Sequence, residues 1–458
     1  MPASAQTITD LARAIRAGET SAEAATERCL AEIVQRDPAI NAFITVLADG
    51  ARETARMADR ELASGRDRGS LHGVPISIKD LFDVRDTRTT AASRVRDDRL
   101  AATDAPVVAR LRDAGAVIIG KTNLHEFALG TTNEESAFGP VHHPLDPARS
   151  PGGSSGGSAA SILADMAFAS IGTDTGGSIR IPAAVCGLVG LKPAIGEIST
   201  EGCVPLSTTL DHVGPLCRSV ADAGLLYEAL RGKVARPSDA AQNRAPSRSA
   251  GGMRIGVLRD YFTAILDPQV AAAFESACLR LQEAGAALDT VSIPHASDIA
   301  PVYLHIALAE AAAYHAKALE SRGDDYTPNV RLRLEMGRYI LAEDYVRALN
   351  GRDVLRAEVN AAIQGRDALL LPSVPVPATR LGVTKVKVGA NEEPVRNITL
   401  RLTQLFNVTG HPAITLPCGK TAEGLPIGAQ LVGPDGDTRA LLGVAAALEP
   451  YFGPGTSR

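Results

Sequence analysis

The sequence predicts an α/β protein built on a central β-sheet. Short apolar, β-branched runs at residues 74–84, 117–119, 166–172, 253–258, 287–293, 368–372, 413–417 and 425–432 alternate with longer stretches of helical periodicity. That alternation brings strands into one sheet with helices packed over it. The chain has 458 residues, 45% hydrophobic and 22% charged, the composition of a globular protein with one large core or two to three parts. Two glycine/serine clusters, at 150–158 and 172–182, lie on either side of one helix-and-strand unit.

Taken in order, residues 7–65 read as helices. Ile8, Leu11, Ala12 and Ile15 fall at helical spacing, and Gly18 suits a C-terminal cap. Thr20 and Glu23 form a capping box for a second helix, and 51–63 is a third, alanine-rich one. Residues 74–84 form a strand running into a loop, with Lys79 as a cation inside an apolar run. It is either an edge-strand side chain reaching water or a buried, partly desolvated amine. A helix at 105–114 leads into strand 117–119. Here Gly115-Ala-Val-Ile-Ile-Gly-Lys121-Thr122 matches the phosphate-loop pattern letter for letter. The four variable positions are themselves the strand, however, so the sequence context argues against nucleotide binding through Lys121. The loop-rich stretch 126–149 carries adjacent His142 and His143, which cannot share one face and have no carboxylate at ligand spacing. A helix at 158–165, the strand 166–172 and a helix with Pro182 in its first turn follow, and 185–191 reads as tightly packed core. The polar, Pro/Ser/Ala/Arg-rich segment 232–252 is the best internal boundary. Beyond it come helices at 268–284, 300–321, 342–363 and 437–448 among the remaining strands.

Composition narrows the function. A net charge of −5 with no basic run argues against nucleic acid and against a membrane surface. Aromatic residues are 4% and tryptophan is absent, so base-stacking platforms are not expected. The six cysteines include no Cys-x-x-Cys pair or zinc spacing, which points to a reducing compartment without a disulfide scaffold. The polar first ten residues lack a signal core and no run reaches membrane-span length, so a cytoplasmic enzyme is expected.

The serines carry the chemistry. Gly152-x-Ser154-x-Gly156 and Gly153-x-Ser155-x-Gly157 both match the nucleophile elbow of α/β-hydrolases. That elbow needs a strand just before the serine, where this chain has Pro144 to Pro151, and a histidine partner among His212, His295, His305, His315 and His411. A flexible Gly/Ser linker fits less well, because both flanks are ordered and apolar.

The third option joins Lys79, Ser154 and Ser178. Pro151-Gly-Gly-Ser-Ser-Gly-Gly-Ser158, Gly172-Thr-Asp-Thr-Gly-Gly-Ser-Ile-Arg-Ile-Pro182, Cys186-Gly-Leu-Val-Gly-Leu-Lys-Pro193, Gly73-Val-Pro-Ile-Ser-Ile-Lys79-Asp and Gly120-Lys-Thr-Asn123 closely resemble the amidase signature family. The serines stand 24 positions apart and Lys79 stands 99 before Ser178, as in that family. The resemblance continues to Phe406–Ala413 and Gly424–Gly433 and is weakest over 232–395. It implies a mixed, twisted sheet covered on both faces by helices. It divides the chain into a helical segment (1–65), a catalytic core (66–231), a helix-rich variable part lining the substrate pocket (232–395) and a part completing the sheet (396–458). It implies a Ser178 nucleophile, Ser154 on a cis peptide as proton bridge, and neutral Lys79 as base. Backbone N–H groups of Thr175, Gly176, Gly177 and Ser178 would form the oxyanion hole, with Ser155, Asp174 and Arg180 shaping the loop. No cofactor or metal is required, and the expected partner is a small-molecule amide, with a homodimer left open. The family also includes the glutaminase component of a tRNA-dependent amidotransferase, for which Arg331 or Arg333 would clamp a carboxylate. Specificity is expected from residues 125–140, 203–212 and 300–350.

Overall fold

The computed structural model describes residues 6–96, 99–233 and 250–453. The expected boundary loop at 232–252 therefore falls largely outside the described residues. Its central feature is a mixed sheet of strands β1 (Phe43–Val46), β2 (Pro75–Lys79), β3 (Val117–Thr122), β4 (Ala169–Asp174), β5 (Val189–Lys192), β6 (His212–Cys217), β7 (Arg254–Leu258), β8 (Ala287–Val291) and β9 (Ala368–Pro372). A separate hairpin, β10 (Lys385–Val388) with β11 (Asn391–Pro394), precedes the last sheet strands, β12 (Ala413–Lys420) and β13 (Pro426–Val432). The order across the sheet is β1-β3-β2-β4-β6-β5-β12-β13-β9-β7-β8. β1 pairs antiparallel with β3 at one edge; pairing is then parallel for β3-β2-β4, antiparallel from β4 to β9, and parallel for β9-β7-β8 at the other edge. Three strands of this sheet, β7, β8 and β9, come from the segment 232–395.

The sheet is buried on both faces because side chains alternate along each strand. On β9, Ala368 and Leu370 join one core while Leu369 and Leu371 join another. The first core also takes Ile76, Ile78 and Ile171, together with apolar residues of the N-terminal helices and of the helices Val220–Leu230, Pro268–Glu283 and Thr438–Phe452. The second takes residues of the helices Gly156–Leu163, Arg180–Cys186, Ile299–Arg322 and Ala342–Ile363. Among the described residues no helix is long and apolar enough to cross a membrane.

Several elements differ from the sequence expectation. β1 interrupts the expected all-helical start, since four residues with a mixed burial pattern give no readable period. β6 contains Gly214 and Pro215, which mask a strand that is buried throughout. The helix Pro328–Gly337 and the β10–β11 hairpin are further additions within the variable part.

Candidate active site

The site forms where β2 and β4 end side by side. β2 pairs with β3 on one side and β4 on the other, so Lys79 ends an interior strand and the edge-strand alternative does not apply. Ile76 and Ile78 enter the first core, so alternation turns Ser77 and Lys79 to the other face. There the Ser77 hydroxyl meets that of Ser161, on the helix Gly156–Leu163, at 3.1 Å. The Lys79 Nζ lies 2.8 Å from Ser154 Oγ and 2.9 Å from Thr173 Oγ1, with the residue fully buried. Burial lowers its pKa to about 7, against the weaker opposing pull of Cys203, Asp174 and Asp211. Among the described residues no carboxylate is within ion-pair distance to hold it charged. Two other lysines are buried within the sequence motifs. Lys121 pairs with Asp80 at 2.6 Å and Lys192 donates to the Pro193 carbonyl at 3.0 Å. Only Lys79 presents its nitrogen to a serine among the described residues.

Ser154 follows a cis Gly153–Ser154 peptide and lies just before the helix Gly156–Leu163. Its carbonyl accepts from the His125 N–H at 3.1 Å. Gly152, at φ +76°, lets this loop approach the other cluster: a Cβ there would sit 2.9 Å from the Pro182 backbone. The Ser155 N–H donates to the Ser178 carbonyl at 3.3 Å and its hydroxyl to the Thr173 carbonyl at 3.3 Å. Ser155 thus stitches the two clusters together. Among the described residues no hydrogen bond joins the Ser154 and Ser178 hydroxyls directly; Ser178 is tied to the first cluster through this backbone bond.

Ser178 ends a loop that leaves β4 and enters the helix Arg180–Cys186. Asp174 fixes that loop. Its carboxylate accepts from the N–H groups of Ile179 and Arg180 at 3.1 and 3.3 Å, from the Arg180 guanidinium at 3.0 and 3.1 Å, and from Asn407 at 2.8 Å. Burial alone would raise the Asp174 carboxyl, but Arg180 and Asn407 hold it well below the usual carboxylate range. Arg180 also reaches Gln430 at 3.0 Å and Asn407 at 2.6 Å. Gly177, at φ +140°, and Gly176 let the loop pack closely against its neighbours. A Cβ on Gly176 would meet the Tyr303 hydroxyl at 2.5 Å, and one on Gly177 the Thr403 hydroxyl at 2.2 Å. The N–H groups of Thr175, Gly176, Gly177 and Ser178 have no acceptor among the described residues. The Thr175 hydroxyl donates to Asp211 at 2.6 Å, and Asp211 in turn accepts from the N–H groups of Leu206 and Ser207 at 2.9 and 3.2 Å. Burial raises the Asp211 pKa to about 6 despite these bonds.

The other sequence alternatives separate from this site. No strand precedes Ser154 or Ser155, and the five candidate histidines bond elsewhere: His212 to Leu210, His295 to Glu358, His305 to Pro301, His315 to Tyr326, and His411 to Thr409 and Asn360. The elbow reading therefore has no base. In the phosphate-loop match, Lys121 lies within β3 and its nitrogen is occupied by Asp80, Thr89 and the Arg88 carbonyl. Arg331 points to the surface, paired with Asp324, whereas Arg333 is half-buried. Thr173, Asp211, Tyr303 and Arg396 are additions that sequence reasoning misses. Thr173 lies within the glycine/serine block, where its register with Lys79 is the available signal; the other three are single residues in stretches without a motif.

Comparison with known proteins places this geometry in a family. The sequence profile described as amidase matches residues 24–442. A glutamyl-tRNA(Gln) amidotransferase chain from Myxococcus xanthus (strain DK1622) is 39% identical over 474 aligned residues, covering 97% of this chain and 96% of that protein. A crystal structure of an amidase superposes with a TM-score of 0.91 at 38% identity, covering 98% of this chain and all of that one. The corresponding glutamyl-tRNA(Gln) amidotransferase chain of Thermotoga maritima gives 0.77 at 31% identity, covering 97% and 94%. The sheet with helices on both faces, the two glycine/serine loops and this near-complete coverage lead to one conclusion: the chain belongs to the amidase signature family, enzymes that act on carbon–nitrogen bonds.

Proposed function

We propose that the chain hydrolyses the C–N bond of a small carboxamide through an acyl-enzyme on Ser178, with Ser154 and Lys79 relaying the proton. The observation that carries this reading is the 2.8 Å contact between Ser154 Oγ and a fully buried Lys79 amine whose pKa burial lowers to about 7. A neutral amine accepts the Ser154 proton as Ser154 takes that of Ser178, and the Ser178 oxygen bonds to the amide carbon. The carbonyl oxygen becomes an oxyanion, which the N–H groups of Thr175, Gly176, Gly177 and Ser178 receive, with the Thr175 hydroxyl anchoring the loop on Asp211. The C–N bond breaks as Ser154 passes a proton to the leaving nitrogen, which departs as ammonia or an amine. Water then repeats the attack on the ester, returns Ser178 and releases the carboxylic acid. Esters and carbamates offer the same carbonyl to the same serine.

The amidotransferase relatives favour a narrower substrate, the side-chain amide of glutamine, with the chain acting as the glutaminase component of a tRNA-dependent amidotransferase. On that reading the partners include other subunits and a tRNA-bound substrate, against the expectation drawn from a net charge of −5. On the stand-alone reading the partner is the small amide alone. Fluorophosphonate labelling tests the shared chemistry: the adduct is expected on Ser178 and absent from Ser178→Ala. An adduct on Ser155 instead would overturn it. Glutaminase activity that rises on adding a partner protein decides for the amidotransferase component; turnover of simple amides without one decides for the stand-alone enzyme.

A further inference from the structure

We infer that Thr403 is a positioning residue of the oxyanion hole: by holding the Gly176 carbonyl it aims the Gly177 N–H, and Asn407 aims the Thr175 N–H through the Asp174 carbonyl. The inference rests on Ser178 being the nucleophile, because the hole serves the carbonyl that Ser178 attacks. Thr403 stands at the N-terminal cap of the helix Gln404–Val408, where a threonine hydroxyl ordinarily accepts from an N–H of its own helix. It makes no such bond. The hydroxyl meets the Gly176 carbonyl at 2.5 Å instead. Its alternative acceptor, the Leu400 carbonyl, is farther away at 3.3 Å and already receives the Thr403 N–H at 3.1 Å. A hydroxyl has one proton to donate, and the geometry gives it to Gly176.

The effect passes across the peptide bond. The Gly176–Gly177 peptide is trans, so its C=O and N–H point in opposite directions. With the Gly176 carbonyl fixed on Thr403, the Gly177 N–H is directed away from Thr403, where no acceptor among the described residues meets it. The neighbouring peptides are held in the same manner. Asn407 Nδ2 donates to the Asp174 carbonyl at 2.9 Å and to its carboxylate at 2.8 Å, while Asn407 Oδ1 accepts from Arg180 at 2.6 Å. A guanidinium only donates, so the amide turns its oxygen to Arg180 and its nitrogen to Asp174. That fixes the Thr175 N–H. The Gly177 carbonyl accepts from the Ile181 N–H at 2.7 Å, which fixes the N–H of Ser178. Thr403 is 0% exposed and Asn407 1%, so neither side chain is open to a substrate and both act through the loop.

Two sequence motifs outside the triad thereby acquire a role. Asn407 belongs to Phe406–Ala413, and Gln430 to Gly424–Gly433. Gln430 Oε1 accepts from Arg180 at 3.0 Å, and its Nε2 donates to the Leu402 carbonyl at 2.9 Å, next to Thr403. Residues 402–407 are therefore tied at both ends to the pair Asp174–Arg180, which holds the start of the helix after Ser178.

Fluorophosphonate labelling of Ser178 makes the test, because the phosphonyl oxygen gains negative charge in the same hole as the serine displaces fluoride from phosphorus. Saturation kinetics separate binding (KI) from the chemical step (kinact). Thr403→Val keeps the shape and removes the hydroxyl. It is expected to lower kinact roughly 10- to 100-fold with KI unchanged, less than the roughly 10²–10³ lost when a donor is deleted outright. Thr403→Ser should restore most of the rate. The acid limb of kinact, set by Lys79 near pH 7, should not move. A merely structural role would raise KI and admit water to Lys79, shifting that limb upward. Wild-type kinact in Thr403→Val, or a loss carried by KI, would overturn the inference. Should Thr403→Val not fold, Thr403→Cys, a weaker donor, is expected to lie between wild type and that loss, and a wild-type rate there would also overturn it. An adduct on Ser178 that forms equally fast in wild type and variant removes this inference and leaves the hydrolase reading standing; no adduct on Ser178 in the wild type removes both.

Discussion

Replacing Lys79 with methionine should inactivate the enzyme and stabilise the fold, and the two effects have one cause. Lys79 is fully buried with a pKa lowered from 10.5 to about 7. In the unfolded chain it returns to its ordinary value, so between about pH 7 and 10.5 the unfolded state binds the additional proton. Stability therefore rises with pH across that window, and the full cost is present at and below pH 7. At neutral pH the cost of keeping the amine buried is on the order of 4 kcal/mol. Methionine has similar length and no charge, so Lys79→Met relieves that cost while leaving the Ser154 and Thr173 hydroxyls short of a partner, a loss of about 1–3 kcal/mol. A net gain of roughly 1–3 kcal/mol is expected near pH 7, shrinking as pH approaches 10. Denaturant unfolding of both proteins from pH 6 to 10 measures the gap. Activity of the variant should fall roughly 10²–10⁴-fold, and wild-type kcat/KM should lose about tenfold per pH unit below about 7. A variant that keeps its rate, or a stability gap that does not change with pH, would refute a neutral Lys79 as the base.

Substitutions at three further sites separate structure from catalysis. Asp174→Ala strands the buried Arg180 and should cost about 3–5 kcal/mol by denaturant unfolding, while Asp174→Asn, whose single amide oxygen keeps one of the two acceptor positions, should cost less. Gly177→Ala puts a Cβ at φ +140° and 2.2 Å from the Thr403 hydroxyl, so kcat should fall with the labelling rate of Ser178 even where circular dichroism shows a folded protein. Lys121→Met breaks the buried pair with Asp80 and should lower stability by about 3–5 kcal/mol; adding Asp80→Asn should recover part of it, and ATP binding, measured by equilibrium dialysis, should be absent in the wild type and the variants alike.

What can be read from sequence follows from how local the physical cause is. The fold class is readable because β2, β3, β4, β9 and β13 are buried at every residue and therefore carry apolar stretches, interrupted at β2, β3 and β4 by buried polar residues. β6 is not, since Gly214 and Pro215 disguise an interior strand whose burial comes from β4 and β5, remote in sequence from its own residues. At the site, the glycine/serine clusters declare themselves because backbone proximity demands small residues next to one another. Gly152 against Pro182, Gly176 against Tyr303 and Gly177 against Thr403 are the contacts that impose this. Lys79 is ambiguous in sequence between an exposed edge and a buried amine, because only the pairing of β4 with its strand decides. Asp211 and Tyr303 fall inside the stretches 203–212 and 300–350 expected to set specificity but are not singled out there, and Arg396 lies outside them, because each acts through contacts or charge brought from distant parts of the chain. Their positions also explain why catalysis and specificity separate in this fold. Lys79 ends β2 and the loop carrying Ser178 leaves β4, both within an eleven-stranded sheet, while Ser154 stands just before the helix Gly156–Leu163. Arg333 and Tyr303 come from helices of the variable part, and Arg396 from the short helix Val395–Leu400 at its end, all outside β2 and β4. On the proposed reading, changing them is expected to alter what is bound while Lys79 and Ser178 stay in place, so that one proton relay would serve many amides.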